Sequence, residues 1–245
     1  MQPQPPPAAA APARRTRWLL AAAALLLAAG FLALAIWQVQ RREWKHALIE
    51  AVDSRIHAAP AAAPGPAEWP GLTREGDAYR RITATGTLRH ADETLVQAVT
   101  EQGGGFWVLT PLETDRGFTV LVNRGFVPRD GRDPASRATG NVAGPVTVTG
   151  LLRITEPGGG FLRSNDPAAG RWYSRDVAAI AAAHRLAGVA PYFIDADAAP
   201  NPGGVPIGGL TVVAFSDNHL VYALTWLALV GLCLFAAWMV LRRRA

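Results

Sequence analysis

The sequence predicts a membrane α-helical hairpin of two transmembrane helices that carries an extracytoplasmic, β-rich α+β domain, folded as an antiparallel sheet or small barrel. Two observations carry this reading. Trp18 to Trp37 and Leu220 to Leu241 contain no charged residue, and at about 1.5 Å per residue such runs reach about 30 Å, the thickness of a bilayer's hydrocarbon core. Between them, short apolar and β-branched runs are punctuated by Gly and Pro, the pattern of strands and turns.

Taken in order, residues 1–17 read as a disordered cytoplasmic tail, because Gln2 to Ala13 is almost entirely Pro, Ala and Gln. Arg14, Arg15 and Arg17 precede the first transmembrane helix, 18–38. A cleaved secretory signal is the rival reading, but the apolar run continues through Ile36 and Trp37, longer than a signal core. Trp44, Leu48, Val52 and Ile56 keep helical spacing and predict a juxtamembrane helix over 39–57. Pro60, Pro64, Pro66 and Pro70 then end it and predict an extended Pro/Ala linker over 58–70.

Residues 71–218 form the predicted outer domain. Strands are expected at Tyr79–Leu88, Thr94–Val99, Phe106–Leu112, Phe118–Asn123, Val146–Leu152 and Tyr192–Ile194, with one helix at Asp176–Leu186. Gly103 to Gly105 followed by Phe106 is echoed by Gly158 to Gly160 followed by Phe161. Nothing further matches at that offset, so both predict flexible turns before strands rather than a repeat. The second transmembrane helix is 219–241, followed by a basic cytoplasmic tail, 242–245.

Arginines flank both outer ends of the spans, which places both termini in the cytoplasm. Arg41, Arg42 and Lys45 argue the other way, but a domain this long translocates largely regardless of charge. The tail lacks the Ser-rich amphipathic character of a transit peptide, which favours a bacterial inner membrane with the main domain in the periplasm.

Half of the 245 residues are apolar, enough for a core. The net charge of +5 comes from scattered Lys and Arg, not a basic stripe, and excludes a nucleic-acid surface. The single cysteine, Cys233, lies inside the second span, so neither an intramolecular disulfide nor a thiol-redox pair is available. Walker loop, nucleophile elbow, His-Glu-x-x-His and Cys-x-x-Cys are absent, and no enzyme activity is expected. A membrane-tethered hydrolase or sensor would have only the size of the outer domain in its favour.

The informative stretch is the start of the second span. Ser216, Asp217 and Asn218 are good N-cap residues, and in the helix that follows His219, Tyr222, Ala223 and Trp226 share a face. A helix N-terminus disfavours the imidazolium, so His219 is expected to be neutral, the form that coordinates a metal. The alternative is an ordinary interfacial residue in an aromatic belt. Trp37 and Gln38 leave the first span at the depth where His219 enters the second, and Arg41, one turn beyond Trp37, would offer a guanidinium to an anionic group such as a haem propionate. It, too, has a plain alternative, as an interfacial anchor. His46, His57, His90 and His184 are isolated in sequence. Arg124, between an apolar strand and Gly125, is expected to pair with a carboxylate beneath a turn.

Together these residues resemble the Surfeit locus protein 1 family. The resemblance rests on Trp37-Gln38, Arg41 through Lys45, Gly104 to Pro111, Asn123-Arg124-Gly125 within Val122 to Pro128, Trp172-Tyr173 with Asp176, Pro191-Tyr192, Gly203 to Pro206, and Asn218-His219-Leu220 through Trp226. It spans nearly the whole chain; Ile207 to Ser216 shows no family pattern. The resemblance implies an assembly factor for haem-copper cytochrome c oxidase that holds or hands over haem a for subunit I, with no catalysed reaction. His219 is the implied haem-iron ligand, with Tyr222, Trp226, Trp37 and Arg41 around the cofactor. Haem A synthase is a further partner under this reading. A scaffold that binds oxidase subunits without touching haem is the alternative.

Overall fold

The computed structural model describes residues 14–211 and 217–242. The tail over 1–13, residues 212–216 with the candidate cap Ser216, and residues 243–245 lie outside the described residues. α1 (Arg14–His57) is uninterrupted, because it contains no proline and only one glycine, Gly30. The first span and the juxtamembrane segment are therefore one helix. α4 (His219–Arg242) is the second helix long and apolar enough to cross a bilayer, and the chain is a membrane protein with two candidate spans. The chain divides into two compact units: one holds α1 as far as Glu50 together with α4, and the other begins at Ala51 and holds every strand.

The second unit contains β1 (Ala61–Ala62), α2 (Arg74–Asp77), β2 (Arg81–Leu88), β3 (Thr94–Thr100), β4 (Gly103–Thr114), β5 (Thr119–Pro128), β6 (Pro145–Ile154), α3 (Val177–Ala183) and β7 (Val189–Ala196). Five strands close a barrel in the order β2, β6, β7, β5, β4 and back to β2. The pairings are antiparallel except β5 with β7, while β1 extends β2 in parallel and β3 extends β4. Of the two predicted arrangements, the small barrel is the one adopted. Closure requires β2 to leave β6 for β4 near Gly86, where a side chain would stand 2.1 Å from the Glu113 carbonyl oxygen.

β5 reads as a continuous apolar run because both of its faces are covered. Val120 and Val122 enter the barrel core with Ile82, Leu112, Leu152 and Ile194. Leu121 faces the other way, into a second cluster with Trp172, Ile180 of α3 and Phe193. Asp176 caps α3 by accepting from the Ala179 N–H at 3.1 Å.

Three local expectations are corrected. Residues 58–70 are not a free extended linker but are laid onto the barrel, with a turn and a short 3-10 helix from Trp69: β1 pairs with β2, Arg116 donates to the Ala63 carbonyl, and the Pro64 carbonyl accepts from Tyr192 Oη at 2.8 Å and Trp69 Nε1 at 2.9 Å. Proline supplied the extension, but side chains distant in sequence supplied the docking. Gly103 to Gly105 open β4 rather than precede it, and Gly158 to Gly160 lie in a turn region that no strand follows before β7. The strand that was expected to end before Arg124 runs on to Pro128 through a bulge. Trp107 pairs with Phe126 and Leu109 with Asn123, so Arg124-Gly125 is the extra pair of residues opposite Val108.

Gly125 has φ of 132°, and a Cβ there would stand 2.2 Å from the Ile207 carbonyl oxygen, while Phe126 exchanges both backbone hydrogen bonds with Ile207 at 2.9 Å. Gly125→Ala is therefore expected to destabilise the sheet domain by about 2–4 kcal/mol. Thermal or denaturant unfolding of the detergent-solubilised protein measures this; a midpoint equal to wild type would refute the close approach.

Candidate functional site

Within the helix unit, α1 and α4 run antiparallel along small residues. Ala21, Ala28 and Ala35, seven residues apart, are buried, as are Ala223 and Ala237 on α4. Small side chains let two helices approach closely where lipid gives no hydrophobic drive. Phe31 stacks on Trp226, with ring centroids 5.6 Å apart and planes 18° from parallel. The Trp226 Nε1–H is buried without a hydrogen-bond partner among the described residues.

His219 is the first residue of α4, and its Nδ1 lies 2.7 Å from Oε1 of Gln38, which is 8% exposed. An amide oxygen only accepts, so Nδ1 is the donor in this contact and Nε2 is the ring nitrogen that Gln38 does not engage. Asp217 caps this end: its Oδ1 accepts from the His219 N–H at 3.1 Å, and its Oδ2 lies 2.6 Å from His46 Nε2 and 3.5 Å from Arg42 Nε. The His46 hydrogen bond, then the His219 N–H, hold the Asp217 carboxyl below the usual carboxylate range, with the charges of His46 and Arg42 adding to them. Asn218 is exposed, and its carbonyl accepts from the Tyr222 N–H at 3.2 Å, the first bond of the helix.

The predicted set is thus only partly gathered. His219, Ala223 and Trp226 turn toward α1, whereas Tyr222 is exposed. Trp37 is exposed, and the Arg41 guanidinium lies 4.0 Å from the centre of the Trp44 ring. The residues of α1 that meet the start of α4 are Gln38, Arg42 and His46, one position round from Trp37 and Arg41. Their signal was present in the sequence, since continuing the alanine spacing from Ala21 through Ala35 by seven lands on Arg42. Side chains at i and i+4 share a face, which places Gln38 and His46 with it.

Asn123, Arg124 and Gly125 belong to the sheet unit. Asn123 Nδ2 donates to buried Asp195 at 2.8 Å, and its Oδ1 accepts from Gly125 N–H at 3.2 Å across the bulge. Asp195 also accepts from Arg153 at 2.5 Å, Arg175 at 3.1 Å and Thr211 at 3.0 Å. The expected carboxylate partner of Arg124 is not what the guanidinium meets. It donates to the Gly140 carbonyl and to Asn141 Oδ1 at 3.2 Å, and lies 3.3 Å from His90 Nδ1. The nearby Glu93 is taken by buried Arg137 in a two-pronged pair. Burial pushes the Arg124 guanidinium below the ordinary arginine value, Glu93 opposes this, and the charge of Arg137 adds to it.

Because the folded-state pKa of Asp217 is depressed, the stability it lends is present above the unfolded carboxylate value, about 3.9, and is lost as pH falls through the folded value. The stability difference between wild type and Asp217→Asn in detergent should be constant near pH 5 and close progressively below about pH 4. A difference independent of pH over that interval would remove the carboxylate from this contact.

A family model described as the SURF1 family matches residues 25–231, which include Gln38, Arg42, His46, Asp217 and His219 of the helix pair and the whole of β5. Surfeit locus protein 1 of Homo sapiens is 39% identical over 214 residues, covering 80% of this chain and 69% of the human protein. The Mus musculus protein of the same name is 39% identical over 217 residues, covering 82% and 67%. That of Rattus norvegicus is 37% identical over 227 residues, covering 86% and 71%.

Proposed function

This chain belongs to the SURF1 family, and from that premise we propose that it is an assembly factor for haem-copper cytochrome c oxidase, which holds haem a in passing and helps deliver it to subunit I. It works in a bacterial inner membrane, with both termini cytoplasmic and the barrel domain periplasmic, and catalyses no reaction. Subunit I and haem A synthase are its partners. The observation that carries the reading is the contact of His219 Nδ1 with Gln38, which leaves Nε2 as the ring nitrogen that a metal would take.

The donor set fits the group. The His219 imidazole would hold the iron, and the exposed rings of Tyr222 and Trp37, with Trp226 stacked on Phe31 one turn further in, would meet a macrocycle's apolar body. Arg41 has no carboxylate partner among the described residues and is the guanidinium available to a propionate, whereas Arg42 is engaged by Asp217. Haem a is cargo here and supplies its redox chemistry only after installation in the oxidase. The chain's own part is to orient one ring nitrogen, with Gln38 holding the other and Asp217 fixing the start of its helix.

Protein purified from cells that make haem a should show a haem spectrum that His219→Ala abolishes and whose affinity Gln38→Leu lowers by about 10–100-fold. Equal spectra in wild type and His219→Ala would refute the ligand assignment. Loss of the gene should lower the haem a content of the oxidase. Unchanged oxidase would remove the reading, and subunit I capture that survives His219→Ala with no haem bound by either protein would instead support a haem-independent scaffold.

A further inference from the structure

The two triple-glycine motifs, unrelated as repeats, meet in space. Gly104, Gly105 and Phe106 of β4 and Gly160 and Phe161 of the turn after β6 line one open cleft of about 680 Å³ in the sheet domain. Small-molecule sites typically enclose about 300–1,000 Å³. Neither the helix pair nor the buried polar groups of β5 account for it.

Its rim is unusual for a soluble surface. Gly160 and Arg163 exchange backbone hydrogen bonds at 2.8 and 3.1 Å, which makes Phe161 and Leu162 the tip of a two-residue hairpin. These two side chains are 92% and 89% exposed, and Val99, also on the cleft, is 89% exposed. Leu162 has φ of 55°, a left-handed conformation that such turns usually assign to Gly or Asn. Large apolar groups held open to water in an unfavourable backbone conformation mark a surface kept for binding.

The charge on the cleft has one sign. Arg129 and Arg163 line it, and no acidic residue does so among the described residues. Arg129 lies over β4, its Nη2 3.4 Å from where a side chain on Gly104 would begin, so the glycine makes room for the guanidinium. Arg129 has no ion pair among the described residues, and Arg163 has only Gln97 Oε1 at 3.4 Å and the face of Tyr173 at 5.5 Å. Phe106, Phe161 and Tyr173 supply aromatic rings, with Arg132 over Phe106 at 5.5 Å and Arg163 over Tyr173.

We propose that this cleft binds a flat, apolar molecule carrying two carboxylates, the chemistry of a porphyrin with its propionates. The choice of a porphyrin rests on the haem-handling reading above; the planar, apolar and dianionic character comes from the cleft. The arginines take the carboxylates, and the aromatic residues cover the macrocycle.

Metal-free protoporphyrin IX is the discriminating probe, because without iron it takes no axial ligand from His219. Titrated by fluorescence against the full-length protein in nanodiscs, with empty nanodiscs subtracted, it should bind saturably. Arg129→Gln with Arg163→Gln should weaken binding by about 100-fold, roughly tenfold for each charge-assisted contact. Phe161→Ser with Leu162→Ser should weaken it as well, the dimethyl ester should bind as poorly as the arginine variant, and His219→Ala should change nothing. The absence of saturable binding, equal binding by the arginine variant, or loss on His219→Ala would each overturn the proposal. An arginine variant that keeps the porphyrin but loses subunit I would also overturn it, assigning the cleft to an acidic protein segment. The two readings fail separately: a haem spectrum that depends on His219 without porphyrin binding leaves the helix pair standing alone, and the reverse result leaves the cleft alone.

Discussion

A buried carboxylate has to be compensated where it stands, and the sheet domain is organised around one. Asp195 is 2% exposed, and its four kinds of partner come from separate parts of the chain: Asn123 from β5, Arg153 from β6, Arg175 from the approach to α3, and Thr211 from the segment after β7. Burial alone would depress the Arg175 pKa, yet Asp195 and Glu156 together raise it above the ordinary value. The network is therefore charge-compensated rather than merely enclosed. Removing one partner from such a pair costs about 3–5 kcal/mol because it leaves the other charge buried and alone. Three neighbouring barrel strands and the chain leaving the last of them are held in one register by that requirement.

This also explains why Asn123-Arg124-Gly125 occurs as a unit. Asn123 reaches the carboxylate and steadies the bulge, and Gly125 admits the returning chain at Ile207. Arg124 ties the bulge to Gly140 and Asn141 in the loop between β5 and β6. The motif is structural in each of its three residues. Its appearance in sequence as a charge before a turn was misleading, because a bulge and a turn both use glycine at positive φ. Only pairing with β4 and with Ile207 distinguishes them.

The strands and α3 were legible because their apolar residues repeat at local periods. Docking of residues 58–70, the partners of Arg124 and the Asp195 network were not, since each depends on groups brought together from far along the chain. Tyr192 and Pro64, for example, are 128 residues apart. In the helix pair, His219 could be picked out from its place at a helix start, but which of Trp37 and Gln38 at its depth would face it could not. Trp37 and Arg41 attract attention as residue types, whereas Gln38 and Arg42 continue the buried alanine line. On a helix, one residue is about 100° of rotation, enough to exchange a lipid-facing side chain for an interhelical one.

The identity of that partner bears on what the imidazole can do. Ligating histidines commonly pass their second N–H to a carboxylate, which orients the ring and makes it a stronger donor to metal. Here a carboxylate stands close by, but Asp217 is occupied by His46, Arg42 and the His219 backbone N–H. The ring nitrogen is left to the uncharged amide of Gln38. An amide orients the ring without adding negative charge, so the imidazole is presented in a defined direction. For a protein proposed to surrender its cargo, firm orientation without a charged partner is the more useful arrangement, and it is set by which side chain of α1 faces the start of α4.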